Sequence, residues 1–182
     1  MRLLALIAAS LAGPAMAGDM LAQVETSRDA PVAFTELRMN PLLSEPLRLN
    51  GTLTYTSDGE LTKHIVAPMH EVVTLSDSHL LLERDGRSRK VRLKRMPDVA
   101  EFYSVLRALL DGDTDTIDSA FTVTEQRVGE GWSAKLVPRA MPLTGMLTEM
   151  TITGEGAQLL RIHIDQPGGS WQTLTIAEPQ AP

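Results

Sequence analysis

The stretch GTLTYTSDGELTKHIVAP, Gly51 to Pro68, alternates with the period of a β-sheet. Leu53 and Tyr55 share one side of a first strand, and Leu61, Lys63 and Ile65 share one side of a second. Thr52, Thr54, Thr62 and His64 take the opposite sides. A period of two with one apolar and one wet face marks an antiparallel sheet that buries a single side. Between the two runs, Ser57-Asp58-Gly59 has hairpin chemistry, since Gly59 tolerates positive φ and Asp58 can bond its own backbone. What the apolar side covers then decides the rest: a second sheet, a helix or a cavity.

The same pattern extends outward in both directions. Strands are expected at 32–39, 47–56, 60–66, 71–75, 79–83 and 88–93, with "RDGR" as a second hairpin turn. The period then changes. Pro97 opens a helix to Leu110, with Val99, Phe102, Leu106, Leu109 and Leu110 at helical spacing. Asp111-Gly112-Asp113 stops it, and a short second helix is expected at 114–119. Strands resume at 121–127, 132–137, 147–153, 158–165 and 171–176. A short helix is also expected from Asp19, as its N-cap, to about Arg28, with Met20, Leu21 and Val24 on one side.

The chain has 182 residues, enough for one domain with a real core. A net charge of −6 argues against a dedicated nucleic-acid binder, which needs a basic surface. The opening MRLLALIAASLAGPAMA has a basic start at Arg2, an apolar run and an Ala15-Met16-Ala17 cleavage site, the pattern of a secretory signal peptide over 1–17. The mature domain is expected to be 18–182, a soluble monomer working outside the cytoplasm. With no cysteine, it has neither a disulfide nor a lipid attachment point after the signal.

No catalytic constellation is evident: there is no nucleophile elbow, phosphate loop or dinucleotide fingerprint. The histidines, His64, His70, His79 and His163, lack metal-site spacing, so neither metal nor cofactor is expected. "DGDTDTID" fails the calcium-loop pattern and reads instead as a helix end followed by an aspartate cap. "RDGRSRKVRLKR" reads as a solvated strand face; the sharper alternative is a docking patch for an acidic partner or anionic headgroups. Glu36 and Arg38 share the face of Phe34, in position for an ion pair.

About eleven strands present a wide apolar surface, and with 4% aromatics the side chains are too small to fill a closed barrel of that size readily. One amphipathic helix covers part of it, leaving room for an aliphatic cavity beneath. Such a cavity suits acyl chains, at ~0.8 kcal/mol per buried CH₂. The alternative is a well-filled sandwich. Alternation turns Leu53, Tyr55, Ile65 and Leu82 inward, and Phe102 and Leu106 face them from the helix. Phe34, Leu93, Trp132 and Ile162 are expected to complete the lipid-binding wall.

Across nearly the whole mature chain, the order of short motifs resembles the LolA family of periplasmic lipoprotein carriers, in its LolA-related branch. The motifs are "FTELR" at Phe34 to Arg38, "GTLTY" at Gly51 to Tyr55, "PMHE" at Pro68 to Glu71 and "LLDGD" at Leu109 to Asp113, then Trp132, "LVP" at Leu136 to Pro138, and Trp171. The resemblance implies a mainly β fold with α: an unclosed antiparallel barrel of about eleven strands with a helical lid over a hydrophobic cavity. It implies cargo in the form of a lipid or acylated protein, taken from an inner-membrane donor to an outer-membrane acceptor. The family's arginine-proline latch after the Gly-x-Leu strand is missing at Thr56 to Gly59, which leaves Glu36, Arg38 and Arg48 as lid or latch candidates. The leading expectation is a carrier, not an enzyme. The rivals are an assembly factor that binds protein through an open barrel edge and, behind it, an acyl hydrolase.

Overall fold

The computed structural model describes residues 20–176. The expected signal peptide, the mature start at Gly18 and the Asp19 cap lie outside the described residues. The first six strands are β1 (Val32–Met39), β2 (Leu47–Tyr55), β3 (Leu61–Ala67), β4 (Glu71–Leu75), β5 (His79–Arg84) and β6 (Arg87–Arg92). Helices α1 (Pro97–Asp111) and α2 (Thr114–Ala120) follow, then β7 (Phe121–Val128) and β8 (Gly131–Pro138). A single turn, α3 (Leu143–Met146), precedes β9 (Glu149–Glu155), β10 (Gln158–Asp165) and β11 (Trp171–Ile176).

All eleven strands join one antiparallel sheet in the order β6-β5-β4-β3-β2-β1-β11-β10-β9-β8-β7. The sheet does not close, and β6 and β7 are its edges. The two hairpins read from turn chemistry are present. Gly59 has φ 87°, and at the β5–β6 turn both Asp85 (52°) and Gly86 (71°) take the positive φ that a two-residue primed turn requires. Between the edges the chain crosses through α1 and α2. Gly112 caps α1 in the left-handed conformation, and Asp113 caps α2 by accepting from the Thr116 N–H at 3.1 Å. The acidic "DGDTDTID" is thus a helix stop followed by a helix start.

Register places the inner face without ambiguity. Leu53 stands opposite Val32 and Lys63; Lys63 faces Val73, which faces Leu82. Glu36 stands opposite Leu49 and Leu174, and Leu174 opposite Ile162. One parity runs through all these strands, as expected when one face is buried and a one-residue slip would invert it.

The apolar interior is divided. A large cluster fills the half built on β7 to β10, where Phe121, Ala134, Met150 and Ile152 are fully buried against Val105, Ala108 and Leu109 of α1 and Ile117 of α2. The half built on β1 to β6 holds only a small cluster of Phe34, Leu49 and Ile65, with Leu53 and Leu174 packed against it. Helix α1 leans on the first half, so the second lacks the side chains to fill it.

Two local expectations are corrected. The N-terminal helix is only a 3₁₀ turn, Leu21–Gln23. Glu125, inward on β7, accepts from the Met20 and Leu21 N–H groups, and the Glu25 N–H is bonded to the Ala157 carbonyl, which draws the chain out of helix. Between the strands expected at 132–137 and 147–153, where no helix is expected, the chain makes α3, whose buried Leu143 holds that turn in the large cluster. The basic run lies on β6 and the turn after it, with Arg87, Arg89, Lys90, Arg92, Lys94 and Arg95 all exposed at a sheet edge.

Candidate functional site

A cavity of about 340 Å³ lies between the two apolar clusters, under α1. That is within the ~300–1,000 Å³ range of small-molecule sites. Its walls are mainly aliphatic. The sheet contributes Val32, Leu53, Leu61, Val73, Leu75, Ile162, Ile164, Leu174 and Ile176, and α1 contributes Phe102, Leu106, Leu109 and Leu110. The helical four repeat at spacings of three and four, so one stripe of α1 meets the sheet while the side bearing Val105 and Ala108 packs into the large cluster.

Of the residues expected to line a lipid site, Leu53, Tyr55, Phe102, Leu106 and Ile162 do border the cavity. Five others do not. Phe34 and Ile65 point inward but are consumed by the small cluster beneath the floor. Leu82 is half-buried one strand beyond the wall, opposite Val73. Leu93 is buried in a 3₁₀ turn after β6. Trp132 belongs to the filled half, because its indole lies on Gly154, where no Cβ would fit, and its Nε1 donates to the Gly156 carbonyl at 2.9 Å.

Exposed Glu25 borders the cavity, and buried charge enters it at the cluster around Glu36. Glu36 is buried, with its side chain only 2% exposed. Its Oε1 accepts from Arg38 Nε at 2.5 Å, and its Oε2 accepts from Lys63 Nζ. Lys63 also lies over the Phe34 ring, 4.8 Å from its centroid. Burial pushes the Lys63 ammonium down to about 8, against the opposing field of Glu71. Gln172, directly across the ladder from Arg38, lines the same end of the cavity.

The opposite end carries a second polar network, which joins helix to sheet. Tyr55 Oη donates to Asp111 Oδ1 at 2.8 Å, and Arg28 Nη2 donates to the same oxygen at 2.7 Å. Arg107 Nη1 reaches Asp77 Oδ1 at 2.6 Å, and its guanidinium packs on Gly59. The Tyr103 hydroxyl donates to the Gly59 carbonyl. Burial and the bond to Asp111 raise the Tyr55 phenol to about 12. Burial would raise the Asp111 carboxyl, but bonds from Tyr55 and Arg28 outweigh that and hold it below its usual range.

Against these contacts, Arg48 is exposed on the outer face, opposite Leu37, and touches neither α1 nor the cavity. Glu36 and Arg38 pair within the sheet and tie no helix down. The ties from α1 run instead through Tyr103, Arg107 and Asp111. These three lie at spacings of four along the helix, a stripe visible in the sequence, though their partners Tyr55, Gly59 and Asp77 are long-range. No group of three or more metal-ligating side chains occurs among the described residues. No helix among them is long and apolar enough to cross a membrane.

A family model described as outer membrane lipoprotein carrier protein, LolA-like, matches residues 9–179. Among curated proteins nothing matches the chain. Solved structures similar to it include a LolA superfamily protein from Nitrosomonas europaea, at 8% identity over 92% of this chain and 96% of that one, with TM-score 0.44. LprF from Mycobacterium bovis is similar at 13% identity over 84% and 87%, with TM-score 0.34. The MucA/MucB complex of Pseudomonas aeruginosa is similar at 13% identity over 88% of this chain and 56% of that one, with TM-score 0.36.

Proposed function

The chain belongs to the LolA-like family of outer membrane lipoprotein carrier proteins, and from that premise we propose that it holds an acyl chain of a lipid or lipoprotein beneath α1 and shuttles it through the periplasm toward the outer membrane. The observation that carries this reading is the aliphatic cavity left where α1 leans away from the β1–β6 half of the sheet. A dry aliphatic space gains ~0.8 kcal/mol for each methylene it removes from water. It also asks little of the methylene count, so a range of chain lengths should enter with similar affinity. A protein that must release what it carries needs no more than this.

The rest of the reading follows from transport. Cleavage after Ala17 leaves 18–182 as the working domain, active as a monomer, taking cargo from an inner-membrane donor and giving it to an outer-membrane acceptor. Its role is binding rather than catalysis. Native mass spectrometry of the protein purified from its own periplasm tests this, and an adduct that extracts as an acylated molecule is the expected result. A chain that carries no acyl adduct and brings down a protein bound at β6 or β7 instead would replace the carrier reading with that of an assembly factor.

A further inference from the structure

The charged end of the cavity has a chemistry that the aliphatic walls do not explain. Two cations converge on one buried carboxylate, Glu36. Arg38 uses Nε on Glu36 and Lys63 uses one N–H. Their remaining N–H groups have no other hydrogen-bond partner among the described residues. Glu71, the next carboxylate along the inner face, has Arg84 at 3.8 Å, but Arg84 also has Asp85 at 3.5 Å, and the field of Glu71 acts on both Arg38 and Lys63. Within the buried cluster itself, two cations meet the one carboxylate of Glu36 beside an apolar space. Arg38 is 43% exposed and Lys63 19%, so both can meet an incoming group. Gln172 adds an uncharged amide across from Arg38.

We propose that Arg38, Lys63 and Gln172 form an anion subsite at the end of the cavity, which selects amphiphiles whose acyl chain ends in a single negatively charged head, carboxylate or phosphate. The inference rests on the carrier reading and narrows it. Glu36 holds the two cations in place and lowers the cost of keeping them out of water while the site is empty. An anionic head then takes the N–H groups that Glu36 leaves over. The bonds are charge-assisted and partly desolvated, so they outweigh those of a neutral head. Arg38 and Gln172 lie at the far end of β1 from Tyr55, and Lys63 reaches the same carboxylate from β3, where it stands opposite Leu53.

The test measures binding of palmitate, 1-hexadecanol and 1-palmitoyl-lysophosphatidate to the mature chain, and to Lys63→Met and Arg38→Gln. Palmitate should bind about tenfold or more tightly than hexadecanol, the effect of one or two charge-assisted hydrogen bonds. That preference, read within each variant as the ratio of palmitate to hexadecanol affinity, should collapse in both. The third probe decides the source of the anion: tighter binding than palmitate assigns the subsite to a lipid phosphate, weaker binding to a free fatty acid. Equal binding of palmitate and hexadecanol to the unaltered chain overturns the subsite and leaves the carrier reading standing. A preference that survives both substitutions also overturns it. Binding of none of the three probes removes the carrier reading, and the subsite with it.

Discussion

The phenol of Tyr55, the last residue of β2, donates at 2.8 Å to the carboxylate of Asp111, the last residue of α1. Tyr55 lines the cavity and Asp111 ends the helix that covers it, so this bond ties the cover to the wall. Tyr55→Phe removes the hydroxyl and leaves Asp111 with Arg28 and Arg107. Unfolding free energy should fall by about 1 kcal/mol, the net value of one such hydrogen bond. A bound acyl probe should also dissociate faster in stopped-flow displacement. Thr52→Val, on the outer face, should change neither. If Tyr55→Phe loses stability and keeps the dissociation rate of the unaltered protein, the bond is structural and not part of a gate.

The division of the interior predicts unequal costs for similar truncations. Ile152 is fully buried in the filled half, so Ile152→Ala should cost about 2–5 kcal/mol by chemical denaturation. Leu53 borders empty space and has fewer partners to lose, so Leu53→Ala should cost clearly less. Equal costs would show that the cavity is filled in solution.

Much of this architecture was legible beforehand, for reasons that can be named. β1, β4, β10 and β11 begin and end at the residues expected of them, because alternation and flanking turn residues are local signals. The inward parity of Leu53, Tyr55, Leu61 and Lys63 is equally local. The 3₁₀ turn at Leu21 is set by Glu125, a hundred residues away in sequence, and no local pattern announces it. Trp132 and Leu53 carry the same inward signal, yet one is in a packed core and the other on a cavity wall. The difference lies in where α1 comes to rest, which is a property of the whole fold. Arg48 has the parity of Thr52 and Thr54, which puts it on the outer face by alternation alone.

Lys63 makes the anion subsite sensitive to pH. It is faced by Glu36 and Arg38 from β1, by Glu71 from β4 and, behind that, by Arg84 from β5; Glu25 and Tyr55 complete the ionisable cavity lining, and α1 and β11 add none. Burial lowers the ammonium to about 8, whereas the unfolded chain keeps its proton to about 10.5. Between those values the unfolded state binds more protons, so this group raises stability as pH rises, and the stability is absent below about pH 8. Ligand binding runs the other way, because the charged form receives the anion. Palmitate affinity should be flat below pH 8 and fall above it, by up to about tenfold per pH unit. Hexadecanol affinity should not change, and Lys63→Met should abolish the slope. A palmitate profile with no break near pH 8 would remove Lys63 from the subsite.

The most direct test of the central claim is a fluorescence titration of residues 18–182 with a long-chain acyl probe bearing an uncharged head, alongside the Leu106→Trp variant. Leu106 lines the cavity and is only half-buried, so the indole has the empty space to enter. The account predicts saturable binding to the unaltered chain and displacement by several long-chain acyl compounds. It predicts that binding persists at high salt, because burial and not surface charge holds the chain. In Leu106→Trp, folded as judged by its unfolding transition, that binding should be lost. Absence of saturable binding, loss of it with salt, or full binding by Leu106→Trp would contradict the claim that an acyl chain occupies this cavity.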